Sequence, residues 1–398
     1  MGDVPDLETP QRPLPWSARL ILLVALGLTG AGLAAIYASE KSPGATYAQT
    51  RRQLAFAAVG LLAAGAAAAV GHKALGRFAY PLFGLTLVLL AVLAVARDLP
   101  LDPVIPVRRN TTRWIVLGPL QFQVSDAAKI VFVLALAAYL RFRSNYRTIR
   151  GLMPPFLLTL APTALILLEP DLGTSLLLMP VLFVMLFAAG ARKRHLALFA
   201  VLGAAAAPAF YFSGLMDDYQ RQRIDVLFRQ NDPDPRWQMG PGFQLRQSKT
   251  AIGSGQLLGQ DAEDAAFFRH NLLPEEHNDF IFAVIAHQFG FAGAAAVILA
   301  YVVLLTAGLA AASATHDPFS RLVAVGLSAM IGVQATVNIG MTMGLMPITG
   351  MTLPFISSGG SSLVTCFAAV GLLISVARHR PRMIAHKPFE FGDEEAKA

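Results

Sequence analysis

Apolar runs of about twenty residues recur along the chain, separated by short polar connections. The first, from Ala18 to Ala38, exceeds the roughly 7–15-residue core of a signal peptide and is expected to remain as a span. Further runs fit 52–72, 76–97, 124–141, 152–168, 173–190, 195–213, 279–312, 320–343 and 355–377. A helix of that length crosses about 30 Å of hydrocarbon. The pattern therefore predicts an all-α polytopic membrane protein of about ten transmembrane helices, with the membrane domain at 16–378. The run that begins at Asp279 is long enough to tilt or protrude. Residues 1–15 form a polar, proline-containing lead-in expected to be disordered, and 379–398 form a second polar tail. One interval breaks the rhythm: 214–278 is hydrophilic throughout.

Composition supports this class and removes others. The chain is 55% hydrophobic and 14% charged, with a mean hydropathy of +0.54, which excludes an ordinary soluble domain. A net charge of +7 would suggest a nucleic-acid partner in a soluble protein. Here the basic residues sort by loop instead. With a cytoplasmic N-terminus, the inner segments hold about 17 Lys and Arg against about 7 in the short outer loops. The charge is thus a topology signal, and no nucleic acid is expected. Both termini fall in the cytoplasm, and 214–278 falls outside. The one cysteine, Cys366, lies inside the last apolar run, so no intramolecular disulfide forms and redox chemistry is not expected.

Function is expected to concentrate in the outer segment, because unstructured connections beyond about 15 residues are uncommon without a role. It contains Tyr219-Gln-Arg-Gln-Arg-Ile224, an acidic turn Asn231-Asp-Pro-Asp-Pro235, and a glycine-bounded stretch from Gly240 to Gly255. That last stretch can form a short helix on the membrane, and its Gln247, Ser248 and Lys249 suit an oxygen-rich ligand. A solvated linker is the alternative. The segment ends at Asp279, a carboxylate on the seam with a long apolar helix, either a helix cap or part of a site. Burial beside Phe280 and Phe282 would raise its pKa, and the helix N-terminus would lower it. Lys129 lies inside an apolar run three residues after Asp126, so the two can pair on one helix face and line an internal cavity. Glu169 and Asp171 flank Pro170 as helix-cap or cavity acids. Ser357 to Ser362, with Gly359 and Gly360, suit either close backbone approach to a ligand or close helix packing.

Several stretches together resemble the SEDS family (shape, elongation, division and sporulation), most closely its rod-shape branch. They are Arg113-Trp-Ile, Gln123-Val-Ser-Asp-Ala-Ala-Lys129, Pro170-Asp-Leu-Gly-Thr174, Gln247-Ser-Lys-Thr-Ala-Ile-Gly-Ser-Gly255, Leu273-Pro-Glu-Glu-His-Asn-Asp-Phe-Ile-Phe282 and Pro354-Phe-Ile-Ser-Ser-Gly-Gly-Ser-Ser362. The resemblance spans about Arg52 to Arg378 and implies a peptidoglycan glycosyltransferase of the bacterial inner membrane. Such enzymes polymerise lipid II, a disaccharide-peptide on undecaprenyl pyrophosphate, alongside a class B penicillin-binding protein. The family's catalytic carboxylate falls on Asp279. Gln247-Ser-Lys249 and Met343-Gly-Leu-Met-Pro-Ile-Thr-Gly350 look closer to the elongation branch than to the division or sporulation branches.

Joining sugars with loss of a diphosphate needs a base for the acceptor hydroxyl and cations for the leaving group. Asp279 is the expected base. Arg52, Arg113, Arg221, Arg223 and Lys249 are the candidate cations. Lys129, Asp171, Gln247, Ser248, Glu275, His277 and Ser357 complete the expected substrate site. A divalent cation, magnesium or manganese, bridging a carboxylate and the diphosphate would suit this chemistry, although no metal motif is present. The chain departs from the family in three places. It has Val124-Ser-Asp126 where Pro-Ser-Glu is usual, Ser358 where Tyr is usual, and His287-Gln288 where two glutamates are usual. Two other functions compete: a flippase for the lipid-linked precursor, and a non-catalytic scaffold for the transpeptidase.

Overall fold

The computed structural model describes residues 14–40, 46–96, 105–106, 112–117, 120–143, 145–214, 216, 218–234, 237, 239–260 and 278–379. In chain order, α1 (Trp16–Ser39), α2 (Ala48–Val70), a short α3 (His72–Arg77) and α4 (Ala79–Ala96) come first. A hairpin of β1 (Trp114–Leu117) and β2 (Leu120–Gln123) leads into α5 (Val124–Leu140). Then follow α6 (Ile149–Leu168), α7 (Leu172–Ala189) and α8 (Lys193–Phe212). The outer segment supplies α9 (Asp218–Phe228) and α10 (Phe243–Ser254), and α11 (Ile281–Ser313), α12 (Pro318–Thr342) and α13 (Gly360–Arg378) close the chain. Among the described residues, nine helices are long and apolar enough to cross a membrane. With α5, a 17-residue helix buried in the core, they make the ten that hydropathy predicts.

α12 and α13 form the centre of the bundle. α13 packs along α2, and α12 lies between α11, α7 and α5. Local chemistry sets the helix starts. Thr148 caps α6 by accepting from Gly151 N, Asp171 caps α7, and Asp317 caps α12 with Pro318 in its first turn. At one end of the bundle, buried His72 hydrogen-bonds Ser375 Oγ (2.9 Å) and Ser320 Oγ (2.7 Å), tying α3 to α13 and α12.

Four features differ from the hydropathy pattern, each for a physical reason. The span beginning after Asp279 is not one tilted helix. It breaks at Gly290, whose φ of 63° and ψ of −165° leave the helical region. There Phe291 N donates to Gln256 O (2.8 Å), Ala292 N to Leu257 O (3.1 Å), and Gln260 N to His287 O (3.0 Å). The outer segment thus satisfies the backbone groups freed by the break, and a Cβ on Gly290 would lie 2.4 Å from Gly259 N.

The last span starts at Gly360 rather than 355, because residues 343–359 are an irregular, largely buried segment. Irregular backbone inside a bundle needs partners, since no water replaces them there. Asn338 Nδ2 donates to Met351 O (2.6 Å), Gln334 Nε2 to Thr352 O (2.9 Å), and Gln53 Nε2 to Ser357 O (3.0 Å). Tyr301 OH holds Pro354 O.

The outer segment carries helices at Asp218–Phe228 and Phe243–Ser254, so these stretches are not a solvated linker. The expected glycine-bounded helix forms as α10. Its Leu245 and Ala251 pack with Val226, Phe280, Ala283 and Ile348 in a second apolar cluster, so that face meets protein. The fourth feature, the β1–β2 hairpin, has no counterpart in the predicted all-α pattern.

Candidate functional site

A cavity of about 230 Å³ lies where α5, α7, α12, the start of α11 and the irregular 343–359 segment meet. The sequence-predicted Arg113, Asp126, Lys129, Asp171 and Asp279 line it. Asp279 sits in the turn before α11. The helix N-cap is Phe280, so Asp279 stands one residue ahead of the cap position. Its main chain is fixed from two sides. Asn338 Nδ2 donates to Asp279 O (2.9 Å), and Ser357 Oγ donates to the preceding Asn278 O (2.6 Å). Leu353 N donates in turn to Ser357 Oγ (2.7 Å), so Ser357 positions the Asp279 turn.

Gly350, at φ 72°, faces this turn. A Cβ there would stand 2.9 Å from Arg223 Nη1 and 3.3 Å from Asp279 Oδ2. A glycine is therefore required for the guanidinium of α9 and the carboxylate of the Asp279 turn to flank the same backbone. Phe280 points into the outer apolar cluster and Phe282 into the main core, so the carboxylate sits at the boundary between them.

Deeper in the cavity, the expected intramembrane pair forms. Lys129 Nζ lies 2.8 Å from Asp126 Oδ1, with both side chains buried, and donates to Gln334 Oε1 (3.1 Å). Asp171 fills both roles open to it. Its Oδ1 caps α7 by accepting from Thr174 N (3.2 Å), while Oδ2 accepts from Ser125 Oγ (3.1 Å) and Gln123 Nε2 (3.3 Å). Arg113, carried beside the hairpin, donates through Nε to Glu169 O (2.7 Å) and through Nη2 to Pro170 O. It anchors the turn that presents Asp171. Beside it, the Glu169 side chain is buried, with no hydrogen-bond partner for either oxygen among the described residues. Burial, with Asp171 nearby, pushes its pKa up to about 8, against the opposing pull of Arg113. Gly359 and Ser362 face the cavity, while Gly360 packs closely on Phe56.

Other candidates lie elsewhere. Arg52 is exposed on α2, and Arg221 is half-buried on α9; neither lines the cavity. Ser248 is fully buried and donates to Thr342 O (2.8 Å), fastening α10 to the end of α12. Gln247 is half-buried on the same helix, and Lys249 lines a separate cavity. Glu275 and His277 lie outside the described residues. His287 hydrogen-bonds Ser254 Oγ (2.6 Å), and Gln288 donates to Ala35 O (3.3 Å), so this pair fastens α11 to α10 and α1. Among the described residues, no group of three His, Cys, Asp or Glu side chains is arranged to hold a metal ion. Sequence reasoning missed Gln334 and Asn338. Their one signal is an amide within an otherwise apolar span.

A bundle of membrane-length helices whose buried amides brace an irregular segment around a charged cavity defines a polytopic membrane protein with an internal polar site. A family model described as cell cycle protein, covering FtsW, RodA and SpoVE, matches residues 16–382. The chain belongs to this family, the SEDS family. It is 37% identical to peptidoglycan glycosyltransferase MrdB of Escherichia coli K12, over 69% of this chain and 73% of that one. It is 35% identical to the probable peptidoglycan glycosyltransferase FtsW of Thioalkalivibrio sulfidiphilus, over 90% and 88%. Among solved structures, it resembles a chain of a peptidoglycan synthase complex that coordinates polymerization and crosslinking (TM-score 0.76, 31% identity, 91% of this chain and 98% of that one). It also resembles the rod shape determining protein RodA of Thermus thermophilus (TM-score 0.66, 29% identity, 94% and 99%).

Proposed function

We propose that this peptidoglycan glycosyltransferase polymerises lipid II into glycan strands during cell elongation, with Asp279 as general base. The glycosyltransferase activity follows from family membership and from relatives that carry that name across most of the chain. The observation that carries the residue-level reading is the meeting of Asp279, Arg113, Lys129 and Asp171 in one cavity, with Arg223 across Gly350 from Asp279. In the reaction, the acceptor hydroxyl attacks the anomeric carbon of the donor and the carbon–diphosphate bond breaks. The Asp279 carboxylate takes the hydroxyl proton, and the pyrophosphate oxygens leave with the negative charge. Arg223 is the cation best placed to meet that charge, since a guanidinium binds phosphate oxygens in a fork. Arg113, engaged with the 169–170 carbonyls, holds the Asp171 turn instead. A magnesium or manganese ion would take one or two of the cavity carboxylates and complete its shell with phosphate and water.

A class B penicillin-binding protein is the proposed partner, supported by the resemblance to a complex that couples polymerization and crosslinking. The proposed setting is the bacterial inner membrane, with both termini cytoplasmic. In a Cys366→Ala background, a cysteine at Asp234 should then react with an impermeant thiol reagent in spheroplasts, and one at Arg192 should not.

The mechanistic test is Asp279→Asn, compared with wild type in synthesis of glycan strands from lipid II. General-base catalysis predicts a fall of roughly 10²–10⁴-fold with an unchanged melting curve and retained partner pull-down. Robust polymer from the folded variant would remove Asp279 from the mechanism. A wild type that makes no polymer but moves lipid II across vesicles would favour the flippase.

A further inference from the structure

The Gln247-Ser-Lys249 stretch does not meet the reaction cavity. Lys249 instead lines a second, larger cavity of about 310 Å³ in the outer segment, within the size range of small-ligand sites. Its floor is apolar, formed by Val226 and Leu245. Its rim carries Trp237, Gln230, Asn231, Arg246, Lys249 and Thr250, with no acid among the described lining residues. In the adjoining acidic turn, Asp232 is bonded to Arg229 (2.8 Å), whose guanidinium in turn lies 4.2 Å over the Trp237 ring. The indole is therefore held in place. Its Nε1 is buried with no hydrogen-bond partner among the described residues, leaving a donor for a ligand oxygen. Lys249 Nζ donates to Gln230 Oε1 (3.1 Å), and Gln230 Nε2 donates to Gly344 O (2.7 Å).

The cavity is physically joined to the reaction site. Val226 and Leu245 share their apolar cluster with Phe280, the residue after Asp279. Gly344 begins the irregular segment that runs to Gly350, beside Asp279 and Arg223. An aromatic ring, two amides, a hydroxyl and two cations over an apolar floor match one ligand chemistry in particular. They fit a sugar chain, with an apolar ring face and many hydroxyls, carrying carboxylates on its appended peptide. We infer that this second cavity is a subsite for the anionic glycan-peptide strand, one layer of side chains from the reaction cavity. It would hold the polymer between successive couplings. The inference rests on the polymerase reading above.

The experiment uses the full chain in nanodiscs, alone and with its transpeptidase, and three variants: Trp237→Leu, Lys249→Gln and Arg246→Gln. Two quantities are read: the length distribution of strands made from lipid II, and binding of a lipid-free glycan-peptide fragment by saturation-transfer NMR. Strands shortened fivefold or more, out of proportion to any loss in coupling rate, together with loss of fragment binding, are expected. Length and rate falling together, or neither changing, would overturn the subsite. So would variants that lose only transpeptidase association while strand length from the chain alone is unchanged, because the cavity would then be a protein-docking site. Failure of the wild type to polymerise at all would sink the polymerase reading. Even then, fragment binding that depends on Trp237 and Lys249 would keep the glycan site standing.

Discussion

α8 and α12 are equally hydropathic, yet 78% of an 18-residue apolar window of α12 is buried inside the protein against 6% of the matching window of α8. Nothing in their apolar content separates them. The polar residues do: α12 carries Ser320, Ser328, Gln334 and Asn338, all buried. On α8 the Leu-Gly-Ala-Ala-Ala-Ala-Pro stretch at 202–208 is exposed, and Leu196 is its one buried position. Hydropathy reports that a helix enters the membrane. Intramembrane amides report which helices build the site, because a buried amide is tolerated only where it has work as a donor or acceptor. Gln334 and Asn338 donate to the irregular 343–359 backbone, and Gln334 also accepts from Lys129.

If the inner region is a braced polar site, its charged pair is where that region breaks most severely. Lys129→Ala leaves Asp126 buried without its cation and should lower stability by about 3–5 kcal/mol, with activity falling too. Asp126→Asn with Lys129→Gln together should recover stability more than turnover. Thermal melting in detergent, with strand synthesis in parallel, checks both. Unchanged melting for Lys129→Ala would mean that the lysine escapes to an interface, and the inner region would lose its distinction.

An effect of the same order, up to about 5 kcal/mol, belongs to Glu169. Its folded pKa is raised from the ordinary 4.5 to about 8, chiefly by burial. Between those values the folded protein holds a proton that the unfolded chain has released. Stability attributable to this group is therefore greatest below about pH 4.5, falls as pH rises through about 8, and is flat beyond. Melting temperatures compared between wild type and Glu169→Gln across that window should converge at the acid end and separate at the alkaline end, the variant being the more stable there. Parallel curves would show that Glu169 does not titrate as a buried acid.

These contrasts mark what the sequence made legible. The ten spans, the Asp126–Lys129 pair and the position of Asp279 between the outer segment and an apolar helix follow from run length and residue chemistry. The break at Gly290 did not, because the residues that compensate it, Gln256 and Leu257, act through their backbone carbonyls. Nor did the non-helical start of the last run, since Phe355 and Ile356 look as apolar as any span while lying in an irregular segment. Lys249 was grouped with the diphosphate cations because sequence order cannot tell which of two neighbouring cavities a helix face serves.

Asn338 joins the two halves of this picture, and its loss should have an intermediate effect. Asn338→Leu removes the donor to Asp279 O and Met351 O and leaves both carbonyls buried without it. A loss of about 2 kcal/mol in stability is expected, with turnover reduced as the Asp279 turn loosens. Asn338→Gln, which keeps the donor on a longer stem, should restore part of the turnover. If Asn338→Leu melts like wild type and keeps full activity, the irregular segment does not depend on amide support.

The smallest expected effect tests the outer half of the comparison. Leu202 and Val201 on α8 are 54% and 65% exposed, so Leu202→Ala and Val201→Ala remove methyl groups that mostly face away from the protein. Substitutions of that kind usually fall within ±0.5 kcal/mol. Leu136→Ala on α5, from a side chain with no exposed surface, should cost about 2–5 kcal/mol by leaving a cavity. The three variants differ little in the hydropathy they remove, so the separation of their melting temperatures measures burial alone. Matching losses at Leu202 and Leu136 would mean that α8 packs against protein in the membrane, as it would within an assembly. Its low burial would then describe the isolated chain, and the division between a structural periphery and a functional centre would have to be redrawn around that contact.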